Sequence, residues 1–118
     1  MNTGVVVDQV FVALSDPTRR EMLEWLAGNG QTSASAMARE LPVSRQAIAR
    51  HLRILDQAGL VTAEKQGRER RFRVEPRALL VTARWMERAA ERWDERLSRI
   101  KAAAESLEGS AATITQAE

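Results

Sequence analysis

The groups in this chain best equipped for chemistry are guanidinium groups, and they are unevenly placed. Between Arg39 and Arg73 nine basic residues stand against four acids, a local charge of +5 in a chain whose net charge is +2. A guanidinium holds its proton at neutral pH and carries no acceptor. It is a poor acid or base but a good ligand for phosphates and base edges. Groups suited to other chemistry are scarce. There is no cysteine or tyrosine, and His51 is the sole histidine. Disulfides, thiolate nucleophiles and thiolate metal sites are excluded, and one chain cannot supply a site of several imidazoles. No paired carboxylates flank a Gly-rich or apolar pocket signal, so no catalytic residue, metal site or cofactor is assigned, and an enzyme is not expected. A positive patch confined to one third of the chain is the footprint of a polyanion partner.

Within the patch, Ser44 to Gln57 reads as a helix with two chemically different faces. Setting Ile48 at zero and advancing about 100° per residue puts Leu52 and Leu55 within about 40° of it, a buried stripe. The opposite face carries Gln46, Ala49, Arg50 and Arg53. Arginine bonds guanine O6 and N7 in a bidentate way, and glutamine does the same for adenine, so this face suits a major-groove reader. Ser44 and Arg45 sit at the N-terminal end, where free backbone amides favour phosphate. His51 lies about 60° off the buried stripe. It reads as a half-buried packing residue that bonds a backbone or phosphate group, and it joins the candidate DNA-binding set.

The run Gly67-Arg68-Glu69-Arg70-Arg71-Phe72-Arg73 reads as a basic hairpin. Phe72 and Val74 share one face and pack inward, while Arg71 and Arg73 share the other. Arg68 and Arg70 lie near the tip, within reach of phosphates or a minor groove. The plainer alternatives are a solvated helix face and a charged edge strand that discourages aggregation. The hairpin directly follows the basic helix, which favours DNA contact for both.

Other elements must position these groups. Val6, Val7, Val10, Phe11 and Leu14 recur at helical spacing. Asp16 suits an N-cap and Pro17 the first position of a second helix, expected to reach about Ala27 and stop at Gly28-Asn29-Gly30. Thr32 or Ser33 caps a short third helix carrying Met37, Ala38 and Leu41, which Pro42 ends. Two short helices joined by about three residues have helix-turn-helix spacing. Strands are expected over Leu60 to Ala63 and Arg70 to Val74, turning near Gly67. Pro76 and Arg77 open a last helix of about 30 residues. The fold class is mostly α with a small β-hairpin: a winged helix-turn-helix with a long C-terminal dimerisation helix. One domain is expected over 1–108, with a flexible tail over 109–118. No apolar run is long enough to span a membrane, and the N-terminus meets Asp8 without a basic region, so a cytoplasmic protein is expected.

The last helix repeats Ala83, Met86, Ala90, Trp93, Leu97, Ile100, Ala104 and Leu107 in steps that alternate three and four. That is a heptad seam, longer than one small domain covers by itself. A homodimer follows, with Met86, Trp93, Leu97 and Ile100 at the interface and Val7, Val10 and Phe11 of the first helix completing it. Packing on the chain's own core is the alternative use of the seam. Arg84, Arg88, Arg92 and Arg96 form an outward row beside Glu87, Glu91 and Glu95, read as a solvated face.

The stretches ALSDPTRREMLEWL, SRQAIARHLRILDQAGLV and GRERRFRV together resemble the ArsR-type winged-helix repressors, over roughly residues 10 to 76. The resemblance implies a homodimer that represses transcription at an inverted-repeat operator, often that of its own operon. It carries Arg45, Gln46, Ala49, Arg50 and His51 onto the recognition helix. Metal-sensing members bear cysteines where Ser33 and Ser35 stand here, and zinc-sensing members bear histidines in the last helix. The resemblance is therefore to the subgroup without a metal site, since neutral hydroxyls are poor ligands for thiolate-selected metals. The chain departs from the pattern at Ala49, often serine, at Pro42 in the turn, and at Arg71, where the wing is often aromatic.

Two other readings remain at this level. The signal of such a regulator is unassigned, and a small molecule at the dimer interface, near Trp85, Met86 and Trp93, is one source. A winged-helix protein-interaction module is the second, though it has no need of Arg50, Arg53 and the hairpin arginines on one side.

Overall fold

The computed structural model describes the backbone of residues 2–117 and the side chains of residues 2–110. Its elements run α1 (Thr3–Leu14), α2 (Pro17–Asn29), β1 (Thr32–Ser33), α3 (Ala34–Glu40), α4 (Arg45–Gln57), β2 (Val61–Gln66), β3 (Glu69–Val74) and α5 (Arg77–Ala117). They divide into two compact units, Met1–Ala83 and Arg84–Glu118. The sheet and the hydrophobic core belong to the first.

Helices α1 to α4 each begin on a side-chain cap. Asn2 accepts from the Gly4 amide at 2.8 Å, Asp16 from Arg19 at 2.9 Å, Ser33 from Ala36 at 3.2 Å and Ser44 from Ala47 at 3.2 Å. Such a cap satisfies an amide that has no partner within the helix, worth about 1 kcal/mol. Helix α2 runs through Gly28 to Asn29, beyond the expected stop at Ala27. Gly28 tolerates helical angles, and it is Gly30, at φ 71°, that turns the chain. Leu41 before Pro42 is extended, which closes α3 as expected.

The sheet has the order β1-β3-β2, antiparallel throughout. Gly67 has φ 63° while Arg68 stays at negative φ, so a two-residue turn with glycine first joins β2 to β3, the pattern of a type II′ hairpin. The short strand β1 was not visible in the sequence. It pairs Thr32 with Phe72 and Ser33 with Arg71, and two residues are too few to show a period.

The core gathers Val10, Met22, Leu26, Met37, Ile48, Leu52, Leu55, Leu60 and Val61, with Phe72 closing it from β3. Each large aliphatic buried here contributes about 1.5–3 kcal/mol relative to exposure. Helix α1 puts Val7, Val10 and Ala13 into the interior. Val7 and Val10 are 2% and 0% exposed, which corrects their expected place at a partner interface. A spacing of three residues faces one side of a helix, and that side is taken up inside the chain. The exposed side of α1 carries Val5, Phe11 and Val12.

Helix α5 is 41 residues long, longer than expected, and Gly109 does not end it. The expected tail otherwise falls on residues whose side chains lie outside those described. Among the described residues no helix is long and apolar enough to cross a membrane.

Candidate nucleic-acid interface

Helix α4 is held by the stripe its sequence announced. Ile48, Leu52 and Leu55 are 0%, 1% and 0% exposed. Burying that stripe leaves Arg45, Gln46, Ala49, Arg50 and Arg53 exposed on the other side, with Ser44 exposed at the N-cap. Helix α3 packs against α4, and β2 follows directly from its end at Gly59, φ 75°. The exposed face of α4 is thus set by the packing of α3, β2, α1 and α2 around its other sides.

The hairpin brings its own arginines to this face. Arg45, Ala49, Arg53 and Asp56 of α4, Arg68, Glu69, Arg70 and Phe72 of the hairpin, and Ser33 and Ser35 at the start of α3 line one groove of ≈ 390 Å³. Four guanidinium groups against two carboxylates make it positive. Arg70 lies over the Phe72 ring, 5.6 Å from its centroid. That contact keeps the side chain on the groove side of the strand and leaves its donors outward. The predicted residues Arg45, Ala49, Arg53, Arg68 and Arg70 therefore converge on one concavity, while Gln46 and Arg50 stand on the adjoining exposed face of α4.

His51 does not join them. It is 9% exposed, and its Nδ1 lies 3.4 Å from a terminal guanidinium nitrogen of Arg19. The ring faces the α1–α2 corner. Burial pushes its pKa below the ordinary value of 6.5, and Arg19 and Arg50 add to that shift while Asp16 opposes it.

Two supporting residues escaped the sequence reading. Arg19 is one. Gln31 is the other: its carbonyl accepts from Arg71 at 3.1 Å, its side chain donates to Glu64 at 3.3 Å, and its amide oxygen accepts from Gln66 at 3.1 Å. These bonds brace the hairpin from its middle to its turn end. Arg71 is consequently half-buried and tied inward, unlike exposed Arg73. Neither support follows a periodic pattern, so only the fold could reveal them.

On α5, Met86, Trp93, Leu97 and Ile100 are 47%, 57%, 58% and 58% exposed, and Phe11 on α1 is 42% exposed. Arg84, Arg88, Arg92 and Arg96 are exposed as the sequence implied, and Arg96 stacks over the Trp93 ring at 5.0 Å. Among the described residues no group of three His, Cys, Asp or Glu is placed to hold a metal ion.

Known proteins share this arrangement. A helix-turn-helix domain family matches residues 14–64. The transcriptional repressor SdpR of Bacillus subtilis is 34% identical over 80 residues, covering 68% of this chain and 88% of that protein. An ArsR-like transcriptional regulator from Rhodococcus sp. RHA1 is 48% identical, with a TM-score of 0.77 over 86% of this chain and 94% of that one. The homodimeric winged helix-turn-helix DNA-binding domain Mb0332 of Mycobacterium bovis is 25% identical, with a TM-score of 0.59 over 73% of this chain and 80% of that one. With its exposed basic helix α4, its basic wing and relatives of this extent, the chain belongs to the ArsR family of winged helix-turn-helix, DNA-binding transcriptional regulators.

Proposed function

We propose that this regulator is a cytoplasmic repressor that binds an inverted-repeat operator as a homodimer, including one in its own operon. The observation that carries the reading is the convergence of Arg45, Arg53, Arg68 and Arg70 on one groove beside Gln46 and Arg50. In this reading Gln46, Ala49 and Arg50 meet base edges in the major groove. Ser44, Arg45 and Arg53 hold the flanking phosphates, and Arg68 and Arg70 follow the backbone or enter the minor groove. Repression is supported by the likeness to the repressor SdpR. Dimerisation is supported by the homodimeric relative Mb0332 and by the exposed apolar seam of α5.

The test is selection from random-sequence duplex DNA, followed by affinity measurement across salt. The reading expects an enriched inverted repeat whose half-site centres lie about one helical turn, or a multiple of it, apart. It also expects affinity to fall steeply as salt rises, as counterion release requires. Equal binding to selected and unselected duplexes would remove the operator reading and favour a protein-interaction module.

A further inference from the structure

Arg19 joins three elements through one side chain. It lies in the first turn of α2, where its amide donates to the Asp16 carboxylate at 2.9 Å. Its side chain turns back to α1, with Nε donating to the Ala13 carbonyl at 2.6 Å and one terminal nitrogen to the Val12 carbonyl at 3.2 Å. These carbonyls belong to the last turn of α1, where a cation also meets the negative end of the helix dipole. The remaining terminal nitrogen faces Nδ1 of His51 at 3.4 Å. His51 directly follows Arg50, so its ring points inward from the same turn of α4 that presents Arg50 outward.

A guanidinium only donates, so a hydrogen bond across this contact makes Nδ1 the acceptor and the ring neutral, with its proton on Nε2. A protonated ring would present a donor to a donor and a cation to a cation, in a site where His51 is only 9% exposed. The charges acting on the ring are Asp16 and Arg19 from the α2 side and Arg50 from α4 itself. Elsewhere around α4, Asp8 of α1 lies beside Gln57 and Ala58 at the far end of the helix. Arg39 and Glu40 of α3, and Glu64 and Lys65 of β2, are exposed.

We propose that Arg19 and neutral His51 form a positioning latch that sets the recognition helix against the α1–α2 corner, so that sequence-specific DNA binding fails when His51 is protonated. The latch rests on the reading of α4 as the base-reading helix. A shift or roll of α4 displaces Gln46 and Arg50 relative to Arg68 and Arg70, which base readout tolerates poorly and phosphate contact tolerates well. Protonation therefore removes discrimination before it removes affinity for DNA in general. The direction in pH follows from the ring's depressed pKa. The latched state is fully present above the ordinary histidine value of 6.5 and is lost as pH falls through the lower folded value.

Because His51 is the sole histidine, its imidazole nitrogen-15 shifts report the tautomer without ambiguity. At pH 7.5 they should show a bare Nδ1 and a protonated Nε2, and in Arg19→Gln the ring should titrate at higher pH. A second measurement uses the duplex that the wild type enriches from random DNA at pH 7.5. Wild-type affinity for it should fall by up to about tenfold per pH unit once pH drops through the ring's folded value, which lies below 6.5, while binding to an unselected duplex does not fall with it. His51→Asn places a non-titrating acceptor near the position of Nδ1. It should bind within about threefold of wild type at pH 7.5, less than the tenfold of one pKa unit, and should lose the pH dependence. A proton on Nδ1 at pH 7.5, or an unchanged pH profile in His51→Asn, overturns the latch. Failure to enrich any duplex refutes base reading by α4 instead, and the nitrogen shifts still decide the contact.

Discussion

Replacing Leu97 by aspartate separates dimerisation from folding. Leu97 is 58% exposed on α5, in line with Trp93 and Ile100, and the core of the chain includes none of the three. Full burial of a leucine contributes about 1.5–3 kcal/mol, so covering the exposed part contributes about 1–2 kcal/mol in each copy. Aspartate forfeits this twice across a two-fold interface and adds two carboxylates that must lose water without partners, each costing more than the about 1–3 kcal/mol of a neutral polar group. Together the loss is at least about 4 kcal/mol, roughly a thousandfold in the dimer dissociation constant. Under the proposed homodimer, sedimentation velocity over a range of protein concentrations should show wild type as a dimer and Leu97→Asp as a monomer. Far-UV circular dichroism should keep the helical signal, since the packed core is untouched. Losing the second half-site removes an intramolecular contact that strengthens operator binding by about a hundredfold or more, leaving weak, salt-sensitive affinity. A folded Leu97→Asp protein that stays dimeric, or binds the full inverted repeat as tightly as wild type, refutes the reasoning.

The arginines should divide by what they touch. Arg50→Ala should lose about 1–3 kcal/mol of discrimination at one base pair, read by competition between the selected duplex and its single-base variants, and uniform loss at every variant would reassign it to the backbone. Arg68→Ala should weaken selected and random duplexes alike and make the slope of log affinity against log salt shallower by about one; an unchanged slope removes it from the phosphate contacts. With no cysteine and one buried histidine, zinc, cadmium or arsenite at micromolar concentration, and equally a chelator, should leave operator affinity unchanged. Stoichiometric release of DNA by any of these metals in a gel-shift titration would contradict that expectation.

The amino-acid sequence by itself determined the elements and the faces they show. Ile48, Leu52 and Leu55 recur at helical spacing, and burying them forces Gln46, Arg50 and Arg53 outward whatever else the chain does. Asp16-Pro17, Ser44 and Gly67 mark their boundaries because capping and positive φ are local properties of one or two residues. Tertiary structure decided what meets across long separations. It turned Val7 and Val10 inward, where the sequence left both sides of α1 apolar and therefore ambiguous. It made a strand of Thr32 and Ser33 only by supplying β3 as a partner. It also took His51 off the exposed face of α4 and set it against Arg19, 32 residues away. A helical wheel gives the angle of a side chain about its own axis. Which neighbour lies at that angle depends on how the helices pack, and no local pattern carries that information.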